Sequence, residues 1–117
     1  MRLVHEPADG GDRRVVAAEV ETADSLVSQA RGLMFRRNLP TGHALAFRFD
    51  RAKKRDVHML FVFFPIDVLW AVDGEVRRVE RLRPWRGFAR AECDLIVELP
   101  AGGAGGIEPG DELFLEP

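Results

Sequence analysis

The sequence predicts a mainly β fold, a compact antiparallel barrel or sandwich-like single domain over residues 1–117 with one or two short helices. Three observations predict it. Short runs rich in Val, Ile, Phe and Leu recur between clusters of Gly, Pro, Asp and Asn, about seven of them in all. Asp73-Gly74 separates two such runs, the signature of a type I′ hairpin turn, whose two central residues both need positive φ. Only one stretch carries the 3.6-residue apolar period of a helix.

Residues 15–20 follow the turn-rich Pro7-Ala8-Asp9-Gly10-Gly11-Asp12 and are expected to pair with residues 3–6 as a hairpin. Ala23, Leu26, Val27 and Ala30 then fall on one face of a helix over residues 23–31. Thr22 or Asp24 is placed to cap its start, and Gly32 to end it. So short a helix is not stable alone and must dock its apolar stripe on a sheet. In that sheet residues 44–50 alternate, with Leu45, Phe47 and Phe49 on one face. Residues 57–64 are almost continuously apolar, which predicts a central strand covered on both faces. Pro65 ends it, because proline cannot donate in mid-ladder. Residues 66–72 and 75–82 flank the Asp73-Gly74 turn, and a bulge between Val76 and Val79 reconciles the second strand with period two. Residues 94–99 and 112–116 supply the last strands, and the glycine-rich stretch 100–110 is a loop.

Of the 117 residues, 46% are hydrophobic and 31% charged, a composition that builds a soluble core and excludes a disordered chain. The single cysteine, Cys93, excludes an internal disulfide framework and any multi-cysteine metal site within one chain. His5, His43 and His58 have no metal-ligand spacing, so neither metal nor cofactor is expected. The longest apolar runs, 59–66 and 68–72, are too short to span a bilayer, and residues 1–6 hold no signal-length segment. A cytoplasmic protein with no membrane partner is expected. The net charge of −2 is unevenly laid out: −3 over residues 1–30, +8 over 31–90 and −7 over 91–117. Strands distant in sequence often pair, so the expectation is that these segments interleave and cancel.

Four stretches carry a family resemblance together. They are Gln29-Ala30-Arg31-Gly32-Leu33-Met34-Phe35-Arg36, Leu45-Ala46-Phe47-Arg48-Phe49, residues 59–69 ending in Pro65-Ile66-Asp67-Val68-Leu69, and Val97-Glu98-Leu99-Pro100-Ala101-Gly102 leading to Gly110-Asp111. In that order and spacing the chain resembles domain of unknown function family 192 over roughly residues 15–115. The resemblance implies a compact, mainly β domain with one or two short helices, and no established activity. Members often have Trp-Met-Lys-Asn-Thr where this chain has His58-Met59-Leu60-Phe61-Val62. Ligand chemistry that relies on those three polar side chains therefore does not carry over.

Candidate functional residues divide between scaffold and site. Arg31 can fork onto a carboxylate or phosphate, or can cap helix carbonyls or pair with Asp67. Asp67 lies in an apolar strand, where a carboxylate needs an arginine or backbone N–H groups as partners. His58, beside Asp67 across a hairpin, would make a general base; alone it is a structural strand histidine. Cys93 sits between Glu92 and Asp94, which disfavour its thiolate, and the only serines, Ser25 and Ser28, lie in the helical stretch. The glycine cluster at 102–106 lacks a phosphate-loop motif and is a turn. Arg77, Arg78, Arg81, Arg83, Arg86 and Arg90 crowd around Trp85 and Phe88, a pattern shared with single-strand nucleic-acid binders. The acidic pI of about 5.9 weighs against that partner and favours a solvated face paired in part with the acidic C-terminal strands. Trp85, in a loop after Arg83-Pro84, is the strongest binding-surface residue. The favoured function is a non-catalytic ligand- or peptide-binding module with a groove lined by Arg31, Met34, Met59 and Trp85. The alternatives are a hydrolase or lyase using Arg31, His58 and Asp67, and single-stranded nucleic-acid binding through residues 77–90.

Overall fold

The computed structural model describes residues 1–22 and 38–117. Eight strands are formed there: β1 (Arg2–Glu6), β2 (Arg14–Ala17), β3 (Glu19–Thr22), β4 (His43–His58), β5 (Ile66–Val72), β6 (Glu75–Leu82), β7 (Phe88–Pro100) and β8 (Glu112–Glu116). They make one sheet in the order β2-β1-β8-β6-β5-β7-β4-β3. The sheet curls until Val20 N donates to Met1 O (3.2 Å), but among the described residues no ladder closes it into a barrel. All pairings are antiparallel except that of β3 with β4, which runs parallel from Glu19↔His43 to Thr22↔Ala46. A parallel pair needs a long return connection, and residues 23–42 supply it. The helix expected over 23–31 lies outside the described residues, and so do Arg31 and Met34.

The fold is mainly β, with a core on each face of the sheet. Along β5 the residues Ile66, Val68 and Trp70 enter one core with Leu45, Phe47 and Ile96, while Leu69 and Ala71 enter the other with Ala46, Val97 and Leu99. Strict period two thus feeds two apolar layers, which is why β5 reads as a continuous apolar run. That corrects the expectation for residues 57–64. The strand there stops at His58, and the strand buried on both faces is β5, its first six residues all buried. Residues 59–65 leave the sheet as a connection, with Phe61 at φ 60°, a left-handed angle no strand uses.

The β5–β6 hairpin forms as its turn chemistry dictates, Asp73 at φ 49° and Gly74 at φ 83° being the two positive angles of a type I′ turn. Its register slips where Trp70 faces Arg78 but Ala71 faces Val76, so Arg77 is the bulged residue. A larger irregularity interrupts β4, in which residues 49–52 stand opposite Asp94 alone.

Candidate functional site

The registers dictate how the sheet is capped. His58 at the end of β4 lies beside Phe88 at the start of β7, whereas Ile66 at the start of β5 lies beside both Leu82 at the end of β6 and Pro100 at the end of β7. The connections 59–65 and 83–87 therefore run between the same two ends of the sheet in opposite directions, side by side. They are bonded where they meet. Met59 N donates to Gly87 O (3.0 Å) and Trp85 N to Val62 O (3.2 Å), while Val62 N bonds Met59 O and Gly87 N bonds Arg83 O, each at 3.0 Å. Met59 and Val62 point down and plug the core beneath.

With the inner positions filled, the remaining large side chains turn to solvent. Leu60 is 53% exposed, Phe61 40%, Phe63 47%, Trp85 46% and Phe88 58%. Trp85 packs against Phe61 with ring centroids 5.1 Å apart at 62° and against Phe63 at 5.4 Å and 47°. Such tilted contacts each contribute on the order of 1 kcal/mol. Phe61 and Trp85, at φ 60° and 66°, both hold the left-handed backbone that bulky L-residues resist. Strain of this kind persists only where the surroundings over-determine it, and it gathers at functional surfaces.

The cap is electropositive. Residues 57–66 and 82–91 contain Arg83, Arg86, Arg90 and His58 but no Asp, Glu or Lys. Arg90 pairs with Asp56 and holds its carboxyl below the usual carboxylate range. Arg83 and Arg86, both exposed, make no ion pair among the described residues. His58 is exposed at the end of β4, and its Nδ1 accepts from Leu60 N (3.3 Å).

The other predicted residues lie elsewhere. Asp67 is buried in β5: Arg81 Nε donates to Oδ1 (2.9 Å), and Gly102 N and Ala104 N donate to Oδ2 (2.9 and 3.0 Å). Two of the motifs, Pro65-Ile66-Asp67 and Leu99-Pro100-Ala101-Gly102, are thereby bonded to each other. His58 is not among the partners of Asp67 in the described residues, so the two do not form a base pair for catalysis. Met59 is fully buried, and with Arg31 and Met34 outside the described residues, Trp85 is the one member of the predicted groove seen at the surface. The arginines of β6 and β7 pair with Glu75, Glu80, Asp67 and Asp56, not with the acidic C-terminal strands. Cys93 is buried, which pushes its thiol up to about 11 even with Arg55 nearby.

Sequence reasoning missed a buried pair. His5 Nε2 lies 2.7 Å from Asp111 Oδ2, and Arg14 Nε donates to His5 Nδ1 (3.3 Å). Nδ1 is thus an acceptor, and Nε2 carries the proton it donates to Asp111. Asp111 also accepts from Ala8 N and Glu108 N, so it clamps the two chain ends together. The only sequence signal was the Gly110-Asp111 motif; a spacing of 106 residues is invisible to periodicity. At the end of the sheet where β4 starts and β7 ends, a cleft of about 280 Å³ is lined by Thr41, His43, Leu99, Pro100 and Gly102 among others. No group of three or more metal-ligating side chains occurs among the described residues.

Comparison with known families places this geometry. The DUF192 family model, described as "Uncharacterized ACR", matches residues 7–115. The chain belongs to the DUF192 family. A UPF0127 protein of Thermococcus gammatolerans is 34% identical over 95 residues, 76% of this chain, which spans 60% of that relative's length. A UPF0127 protein of Pyrococcus horikoshii is 33% identical over 102 residues, 81% of this chain and 85% of its own. Among solved structures, a candidate transcription regulator of Sinorhizobium meliloti superposes with a TM-score of 0.81 at 25% identity, over 97% of this chain and 91% of that one. A protein of unknown function from Novosphingobium aromaticivorans gives 0.84 at 24% identity, over 98% and 84%. In this DUF192 chain two motif carboxylates among the described residues belong to the scaffold: Asp67 ties the Leu-Pro-Ala-Gly loop down, and Asp111 ties the chain ends. Leu60 and Phe61, where members often carry polar residues, stand exposed on the cap instead.

Proposed function

We propose that this DUF192 chain is a non-catalytic binding module whose contact surface is the paired-loop aromatic cap. The observation that carries the reading is the exposed Trp85–Phe61–Phe63 cluster, held on a bonded and strained backbone. Soluble proteins rarely leave a contiguous aromatic patch in water without use, and an indole braced by its neighbours loses little freedom on binding. The enzyme reading draws less support, since Asp67 is spent on scaffold bonds and Cys93 is sealed off with its thiol protonated. Among the described residues no helix is long and apolar enough to cross a membrane.

Selection of a random displayed peptide library on the wild-type chain tests this, with Trp85→Ala and Phe63→Ala chains as counter-targets. Enriched peptides should be retained by the wild type and lost by both variants, whose folding is verified by circular dichroism because loss of the ring contacts lowers their denaturation midpoints. Equal retention by the variants, or no enrichment at all, would remove the reading.

A further inference from the structure

We infer that the partner of the cap is a protein segment that presents carboxylates around an apolar anchor residue. The inference rests on the cap being a binding surface and adds what it binds.

Composition separates the classes of partner. Protein–protein contact surfaces are enriched in aromatic residues, Met and Arg, and depleted in Lys, Glu and Asp. The two paired segments have that bias throughout, while Lys53 and Lys54 stand close by on β4 but outside the cap. A surface selected for phosphates, on nucleic acid or lipid, would accept Lys as readily, because an ammonium serves there as a point charge. Arginine's planar fork pairs with a carboxylate in two parallel bonds and with a phosphate likewise, so the choice between them rests on the aromatic anchor and the absence of Lys. Arg83 and Arg86 bracket Trp85 in the chain, are exposed, and lack ion-pair partners among the described residues. The other arginines of β6 and β7 already hold carboxylates: Arg77 holds Glu75, Arg78 Glu80, Arg81 Asp67 and Arg90 Asp56. The cap therefore joins the two residue types that dominate binding energy, Trp and Arg, with the guanidinium groups uncommitted. Its backbone is fixed in advance by the hydrogen bonds between Met59 and Gly87 and between Val62 and Trp85. That fixity suits recognition of one side chain in one place; a fluid lipid surface makes no use of it.

The chain's fluorescence can read the cap directly. It has two tryptophans, and Trp70 is buried with its Nε1 donating to Arg55 O (3.3 Å), so a change in emission on binding reports Trp85. Three eight-residue peptides share a central Leu-Phe and carry Asp/Glu, Asn/Gln or Lys flanks. The acidic peptide should bind about five- to tenfold more tightly than the neutral one, the size expected of two partly exposed ion pairs, and that advantage should fade with added salt. The Lys peptide should bind weakest. Arg83→Gln with Arg86→Gln should bring the acidic peptide to the neutral peptide's affinity, and Trp85→Ala should abolish binding of both, scored by calorimetry because the reporter is gone. Equal affinity for acidic and neutral peptides would overturn the inference and leave the binding-module reading standing. If no peptide binds up to about 1 mM, while phosphatidylglycerol vesicles or a 15-mer oligothymidylate shift the emission, the protein partner is wrong and the cap reads phosphate. Silence toward all these probes would take down both readings.

Discussion

At the scale of single residues, two buried carboxylates act as clamps. Asp67 is 4% exposed, and its two backbone donors, Gly102 and Ala104, would lose their acceptor if it were changed. Arg81, by contrast, has a side chain 61% exposed, so solvent screens its share of the interaction. Asp67→Asn should therefore cost about 2 kcal/mol or more, since the amide offers one acceptor oxygen and sets an NH2 group among donors. Arg81→Ala should cost much less. Urea midpoints at unchanged slope measure both, and a near-wild-type midpoint for Asp67→Asn would contradict the clamp. Asp111 gives a pH signature. Burial pushes its carboxyl up, but the Ala8 and Glu108 N–H groups and His5 together hold it below the ordinary value of 3.8. A carboxyl lowered in the folded state binds its proton later than in the unfolded chain. Its stabilisation is complete above 3.8 and is lost as pH falls through the lower folded value. The acid limb of a stability–pH curve should accordingly be shallower in Asp111→Asn than in the wild type below about pH 3.8. Superimposable limbs would show that Asp111 does not titrate this way.

At the scale of elements, the pairing of 59–65 with 83–87 is the feature on which the cap depends, and Gly87 is its tightest point. A Cβ there would meet Met59 Cγ at 2.7 Å, Arg83 O at 2.8 Å and Leu82 Cβ at 2.8 Å. The methionine end can swing away, but the Arg83 carbonyl is backbone and belongs to the bond that Gly87 N makes with it. Gly87→Ala should destabilise by about 1–3 kcal/mol, the range of an overpacked site, and should also loosen the Trp85–Phe63 contact. Urea denaturation with near-ultraviolet circular dichroism checks both, and a variant of wild-type midpoint and spectrum would show the paired loops to be more pliant than their bonds imply. The β5–β6 hairpin is the contrasting element, set by its own turn and bulge rather than by neighbours. That hairpin was legible in the sequence because Asp73-Gly74 and the interrupted period of β6 are local signals. The stretch 57–64 reads as strand throughout because an apolar run has the same composition whether it is a strand or a connection that plugs the core.

At the scale of the molecule, strand order settles the charge layout. The acidic strand β7 lies against basic β4, with Lys54 opposite Glu92, and acidic β8 meets β6 at Glu75↔Glu112. The segments thus interleave, as expected from the sequence, although the ion pairs themselves stay within residues 31–90 on the β6 and β7 side. On the cap, Arg83 and Arg86 stand beside the aromatic rings with no ion pair among the described residues. The two cores explain why a chain of this size spends its apolar residues as it does. β5 serves both layers, and Trp70 is completely buried in one of them.

The sequence by itself determined the β class, the family, the β5–β6 hairpin with its bulged strand, the glycine-rich loop and the prominence of Trp85. Each of these is written in neighbouring residues: period two, turn dipeptides, short motifs, an aromatic beside proline. The tertiary structure alone decided that the sheet stays open, that β3 pairs in parallel, that His5 meets Asp111, and that Asp67 holds the loop at 102–104. It also decided which half of the apolar stretch 57–72 becomes strand and which becomes cap. The physical reason is the same in every case. Hydrophobic burial and buried hydrogen bonds act between residues brought together by strand order, and strand order is a property of the whole chain that no local period records.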